Sequence, residues 1–260
     1  MKKFLLATVA LAALSAPAMA ADLATKYPVK AVAVVPVFSW TGFYIGANVG
    51  YGGDKFTFDE VESYYYGAYP YYANSTSLNS SGFFAGGQIG YNYQFANNVV
   101  LGAETDLQWS GIEGKADYSS VYLYGGYPYT SSFGASVDYF GTIRARIGYA
   151  FDRFLPYITG GAAYGKTKVS GSYYDYSVGG FSASGTNWGW TVGGGVEYAI
   201  TNNWTFKTEY LYVDLGSTDY TYASGSGPEA MIALDRGYSN TTGSVDTKFH
   251  TLKAGVNYKF

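Results

Sequence analysis

An eight-stranded antiparallel transmembrane β-barrel is the fold class this sequence predicts, and three observations predict it. The chain opens with an export signal and holds no later apolar run of the ~20 residues that a membrane helix takes. Residues 249–260 alternate strictly, with Leu252, Ala254, Val256, Tyr258 and Phe260 against Thr251, Lys253, Gly255, Asn257 and Lys259. That period of two marks a strand with one apolar and one polar face. Seven further segments alternate in the same way, and their connections run long, short, long, short. This asymmetry belongs to outer-membrane barrels, which have long surface loops and short periplasmic turns.

The elements follow in order. Lys2 and Lys3 precede an apolar stretch, Phe4 to Leu14, and Ala18-Met19-Ala20 forms a cleavage site, so residues 1–20 are expected to be a removed signal peptide. Residues 21–39 carry Pro28 and Pro36 without alternation and read as an extended periplasmic lead-in; residues 40–260 are the barrel. There is no cysteine, so disulfides do not contribute to stability. Charged residues are 13% and aromatics 20%, which narrows an exported chain to a β-sandwich or an outer-membrane barrel.

The first strand sets Phe43, Ile45, Ala47, Val49 and Tyr51 against Tyr44, Gly46 and Asn48. The second sets Phe83, Ala85, Ile89, Tyr91 and Tyr93 against Phe84, Gln88, Asn92 and Gln94. The turn Asn97-Asn98 leads to the third, Val99, Leu101, Ala103, Leu107 and Trp109 against Glu104, Asp106 and Gln108. The fourth puts Val137, Tyr139, Ile143, Ala145, Ile147 and Tyr149 outward, against Asp138, Thr142, Arg144 and Arg146. In the fifth, residues 155–168, the run Gly160 to Ala163 hides the parity. The sixth sets Trp188, Trp190, Val192, Val196 and Tyr198 against Thr191 and Glu197, and the seventh sets Trp204, Phe206, Tyr210 and Tyr212 against Thr205, Lys207, Glu209 and Leu211. Residues 53–80, 113–135, 171–185 and 217–246 read as four long loops. Aromatics gather at strand ends, as interfacial girdles do.

The polar face carries Glu104, Asp106, Glu197 and Glu209 with Arg144, Arg146, Lys207 and Lys253, four charges of each sign. A basic side chain facing lipid would cost ~2–4 kcal/mol near the midplane, so these charges point inward. Glu104 and Asp106 are expected to pair with Arg144 and Arg146 on the next strand, and Glu197, Lys207, Glu209 and Lys253 to gather among the last three strands, with Glu209 the partner of Lys253. Eight strands make a barrel that its own side chains can fill, so the interior reads as a plugged core more than as a pore. Carboxylates with arginines opposite do not read as acid–base machinery, and no enzyme is expected.

Several runs carry a resemblance: Trp40-Thr41-Gly42-Phe43-Tyr44-Ile45-Gly46, Val100-Leu101-Gly102-Ala103-Glu104-Thr105-Asp106, Gly141 to Tyr149, Asn203 to Tyr212, and Gly255-Val256-Asn257-Tyr258-Lys259-Phe260. Together they resemble the small eight-stranded outer-membrane β-barrel proteins of alphaproteobacteria, the opacity-porin-like group, in its branch of rhizobial-type major outer-membrane and hemin-binding proteins. The resemblance implies a cell outer-membrane location in a Gram-negative envelope, contact with outer-membrane lipid, and structural and surface-contact roles. It also implies recognition of Tyr258 and Phe260 as an assembly signal by the barrel-assembly machinery. Hemin and host surface molecules are the ligands it suggests; a narrow porin for small solutes is the alternative function. No cofactor is required, and no nucleic-acid partner is expected.

The loop stretches hold more than half of the 30 tyrosines. Tyrosine mixed with Gly, Ser and Asn suits binding surfaces, and phenolates can ligate hemin iron. Tyr64, Tyr65, Tyr66, Tyr71, Tyr72, Tyr122 and Tyr124 are the candidate ligand-binding residues, while the net acidity of these stretches disfavours a propionate-bearing ligand at long range. His250, the sole histidine, falls on the lipid-facing set and reads as a rim residue without metal. Ser244 and Asp246 share its parity but lie too far along an extended strand to build a hydrolase site with it. Gly193-Gly194-Gly195 lies within a strand and is no phosphate loop.

Overall fold

A computed structural model describes residues 38–64, 69–121, 128–174, 178–223 and 239–260. They form eight strands, β1 (Gly42–Tyr64), β2 (Tyr69–Gln94), β3 (Val99–Val121), β4 (Pro128–Tyr149), β5 (Phe154–Tyr174), β6 (Val178–Ala199), β7 (Trp204–Ala223) and β8 (Ser239–Lys259). Each strand pairs antiparallel with its neighbours in sequence, and β1 pairs with β8 to close the barrel. The signal peptide and most of the lead-in lie outside the described residues.

Alternation decides which side chains enter the lumen. Phe83 is 78% exposed and Phe84 next to it only 4%; Ile45, Val49, Ile89, Ile143, Ile147, Val192 and Leu252 all face outward. In β5 the odd-numbered residues Leu155, Tyr157, Thr159 and Ala163 point in and Phe154 and Ile158 point out, which supplies the parity that glycine and alanine hide. On β1, Phe43 and Tyr51 bracket a nine-residue span with an apolar outer face, and on β7 Trp204 and Tyr212 bracket a span of the same length. A tilted strand needs ~9–11 residues to cross the hydrocarbon layer.

The periplasmic turns are short because polar residues satisfy their backbones. Asn98 (φ 66°) and Asp152 (φ 55°) occupy the left-handed region, which Asn and Asp tolerate. The Thr201 hydroxyl accepts from the Trp204 amide at 2.9 Å.

The stretches read as four long loops are corrected by the structure. Each strand runs 20–26 residues, about twice what the membrane requires, and the extra length is β-structure rising above the upper aromatic ring. These segments are rich in Ser, Gly, Asn and Tyr, and their outer face meets water, so the apolar half of the alternation disappears while the backbone pairing persists.

The boundary between belt and extension is marked by bulges. Register shifts fall at Trp109/Ile112 between β3 and β4, at Val137/Tyr139 between β4 and β5, and at Asp214/Ser217 between β7 and β8. The last includes Gly216 at φ +69°, whose amide donates to Asp214 Oδ1 at 2.9 Å. A bulge inserts an unpaired residue, and on β4 and β7 the inward parity switches beyond it, while β3 keeps its own. Asp138 is that residue on β4, so Val137, expected outside, turns inward and is 1% exposed.

Above this level the described pairing of β2 with β3 stops at Ser81 and Glu113, and that of β6 with β7 at Trp190 and Asp214. The remaining pairings continue upward. The extension is therefore two four-stranded sheets, one of β7, β8, β1 and β2 and one of β3, β4, β5 and β6.

Candidate functional site

The lumen is filled in three layers. At the periplasmic mouth Phe38 and Trp40 pack with Val100, Ala150, Leu155, Tyr157 and Ala199. The Trp40 indole donates to the Asp152 carbonyl at 3.0 Å and its backbone amide to Gln94 Oε1 at 2.8 Å. Lys259 donates to the Ser39 carbonyl at 2.6 Å and lies 5.2 Å from the Phe38 ring. Residues 38–40 thus close the mouth, a role that a reading of 21–39 as a plain lead-in does not contain.

The middle layer holds the eight charges, all buried. Arg144 reaches Glu104 (2.6 Å), Asp106 (2.9 Å) and Glu209 (2.9 Å). Arg146 reaches Glu197 at 2.9 Å across the lumen and Glu104 at 3.9 Å. Lys253 binds both Glu209 (2.9 Å) and Asp106 (2.8 Å). Lys207 differs from its expected grouping. Its Cα lies opposite Glu197, yet its ammonium crosses to Glu104 at 2.6 Å. The two expected clusters are one network, because long side chains in a narrow barrel meet across the lumen as readily as along the wall.

Two phenols complete the layer and were absent from the sequence-derived set. The Tyr44 hydroxyl donates to Glu104 at 2.7 Å and the Tyr157 hydroxyl to Glu209 at 2.8 Å. Arg146 lies between their rings, 5.0 Å from each centroid. Tyr44 shares the polar parity of strand one, which marks it as lumenal; Tyr157 sits where parity was hidden. Neutral amides extend the network: Arg146 donates to Asn92 at 2.8 Å, Asn257 to Glu197 at 2.8 Å and Gln88 to Asn257 at 2.7 Å, while Asn48 donates to Gln88. Buried ions cost several kcal/mol each to desolvate, and multiple partners of this kind are what offsets that cost.

The third layer is apolar. Phe84, Ile112, Val137, Phe140, Leu211, Val213 and Phe249 fill the top of the closed ring, and Phe56, Phe58, Leu215 and Val245 continue this core between the two sheets. Phe140 stacks edge-on against Phe84 (5.2 Å) and Phe249 (5.1 Å).

On the lipid side Tyr258 contacts Trp204 (5.1 Å) and Phe260 (5.2 Å), and the Phe260 amide donates to the Phe43 carbonyl at 3.0 Å. Of the candidate ligand-binding tyrosines, Tyr65, Tyr66, Tyr122 and Tyr124 lie outside the described residues. Tyr64 ends β1 and Tyr71 and Tyr72 begin β2, with their side chains likewise outside the description. His250 is exposed at the upper rim, where its Nδ1 lies 2.5 Å from the Tyr210 hydroxyl and its Nε2 3.5 Å from Asp54. Among the described residues no group of three or more His, Cys, Asp and Glu side chains is arranged to hold a metal ion.

A closed eight-stranded barrel with an apolar belt, aromatic rings at both edges and short turns at one end defines an outer-membrane β-barrel protein. Comparison with known proteins agrees: a family described as outer membrane protein beta-barrel domain matches residues 6–260, and the chain belongs to it. It is 39% identical to a 31 kDa outer-membrane immunogenic protein of Brucella melitensis, with all of both chains covered. It is 35% identical to a 22 kDa outer membrane protein of Rhizobium leguminosarum over 91% of this chain and 83% of the relative. The protein is thus one of the small alphaproteobacterial outer-membrane barrels. The crystal structure of the outer membrane protein OprG from Pseudomonas aeruginosa shares the fold, with a TM-score of 0.50, 17% identity, and coverage of 86% of this chain and 98% of that one.

Proposed function

We propose that this protein is a non-conducting, non-enzymatic barrel of the outer membrane, a structural element of the envelope that carries a rigid β-extension to the cell surface. The observation that supports this most directly is the lumen, closed by Trp40 below, an eight-charge network in the middle and a phenylalanine-rich core above. A pore for small solutes needs a continuous aqueous path, and each layer occupies the cross-section that such a path would use. The charges balance within the lumen, and the carboxylates that could act as acid or base face cations or phenols instead of a cleft.

Planar-bilayer recording of the refolded protein tests this reading. The expected result is a quiet membrane; reproducible discrete conductance steps would replace the structural reading with the narrow porin. Contact with hemin or with host surface molecules is a proposal that belongs to the tips of the extension, and tyrosine enrichment supports it. Titrating the refolded barrel with hemin tests it. A Soret shift abolished by replacing Tyr65, Tyr66, Tyr122 and Tyr124 is expected if the tips bind, and an unchanged spectrum would retire the idea.

A further inference from the structure

One groove on the outer wall is not explained by the barrel's closure. It lies on the lipid-facing side at the upper aromatic ring, where β1 meets β2 and β8, and has a volume of about 480 Å³. Its floor is Gly53, which pairs with Ser81 on one side and His250 on the other. A Cβ at residue 53 would collide with the Ser80 carbonyl, so the outward row of β1 has an unfillable gap between Tyr51 below and Lys55 above.

The lining is graded along the membrane normal. Tyr51 and Leu252 form the lower edge and are exposed apolar surface within the belt. The upper edge is Lys55 and Asn79, both exposed. The imidazole of His250 and the hydroxyl of Ser81 form the sides. Lys55 has no ion pair among the described residues, and the side chains of Asn79 and Ser81 make no hydrogen bond there. Asp54 is the single acid in the lining, and its carboxylate faces His250 Nε2 at 3.5 Å. His250 is held on its other nitrogen by Tyr210 at 2.5 Å. An unpaired ammonium and two neutral donors therefore converge just above an apolar ledge, at the height where lipid headgroups lie.

We propose that this groove seats the phosphorylated headgroup of an outer-leaflet lipid, whose acyl chains lie down over Tyr51 and Leu252. The lysine supplies the charge for the phosphate, while Asn79 and Ser81 supply directed hydrogen bonds. His250 forms the side wall and reports on occupancy.

The sole histidine makes the test direct, because its ring carbon–proton NMR signals need no assignment. The probe is bis-phosphorylated lipid A added to the full barrel in phosphatidylcholine nanodiscs. Saturable shifts of the His250 signals are expected, with the affinity about fivefold weaker in Lys55→Ala, as loss of one cation near a charged membrane surface implies. Lys115→Ala, on the extension, should bind as the parent does. Three results would overturn the proposal: no shift with lipid A, equal shifts with the dephosphorylated lipid, or an unchanged affinity in Lys55→Ala. Equal shifts with inorganic phosphate would also overturn it, by making the groove a free-anion site without lipid.

Discussion

Within the membrane belt each strand is hydrogen-bonded on both sides, whereas in the extension β2 separates from β3 and β6 from β7. The same eight strands build both regions, so the solvent makes the difference. In hydrocarbon an open strand edge leaves N–H and C=O groups unsatisfied at several kcal/mol each, and only a closed ring avoids this. Above the upper ring water can satisfy an edge, and the ring opens into two sheets. The cores differ in the opposite sense. The closed belt encloses ions beneath an apolar cap, while the more open extension encloses phenylalanine and aliphatic side chains. Two sheets not joined along both seams rely on an apolar interior to hold together. A closed ring holds its own shape and can accommodate a charge network whose eight ions stand on five strands, β3, β4, β6, β7 and β8.

That contrast can be broken in order of expected effect. Arg144→Ala removes the cation shared by Glu104, Asp106 and Glu209 and should destabilise the whole barrel by about 3–5 kcal/mol, the cost of leaving a buried charge unpaired. A urea midpoint in detergent, followed by the mobility difference of heated and unheated protein on a gel, measures it. A fall of under ~1 kcal/mol would mean the network is not what holds the belt's interior.

Trp40→Ala opens the periplasmic mouth and deletes the indole hydrogen bond to the Asp152 carbonyl, with an expected cost of about 3 kcal/mol. The same gel assay should show a lower dissociation temperature with a folded barrel still present. An unaltered temperature would return residues 38–40 to the status of a passive lead-in.

Phe56→Ala empties part of the upper core and should cost about 3 kcal/mol, confined to the extension. Limited proteolysis is expected to trim the extension while the belt keeps its heat-modifiable mobility. Loss of the belt together with the extension would show that the two regions fold as one unit. At the small end, Lys115→Ala breaks a pair with Glu113 whose side chains are 70% and 57% exposed, and it should change stability by less than ~0.5 kcal/mol.

Legibility followed the solvent on each side of the wall. Phe83 against Phe84 and Leu252 against Lys253 were readable because one neighbour meets lipid and the other the lumen. Residues 53–64 and 69–80 were not readable as strand, because their outer face meets water and they are rich in the small and polar residues of loops. Val137 was misplaced because a bulge at Asp138 leaves no compositional trace. Tyr157 was missed because Gly160 to Ala163 carry too little side chain to mark a face.

By itself the sequence determined the strand count, the antiparallel order, the outer-membrane location and the eight charges that cannot face lipid. A period of two is a local property, and the cost of a charge in hydrocarbon does not depend on its partner. Only the tertiary structure decided that Lys207 reaches Glu104, that Arg146 reaches Glu197, that Trp40 closes the mouth and that a groove opens at Gly53. Those depend on how far neighbouring strands slide past one another before the ring closes, and that stagger belongs to the barrel as a whole.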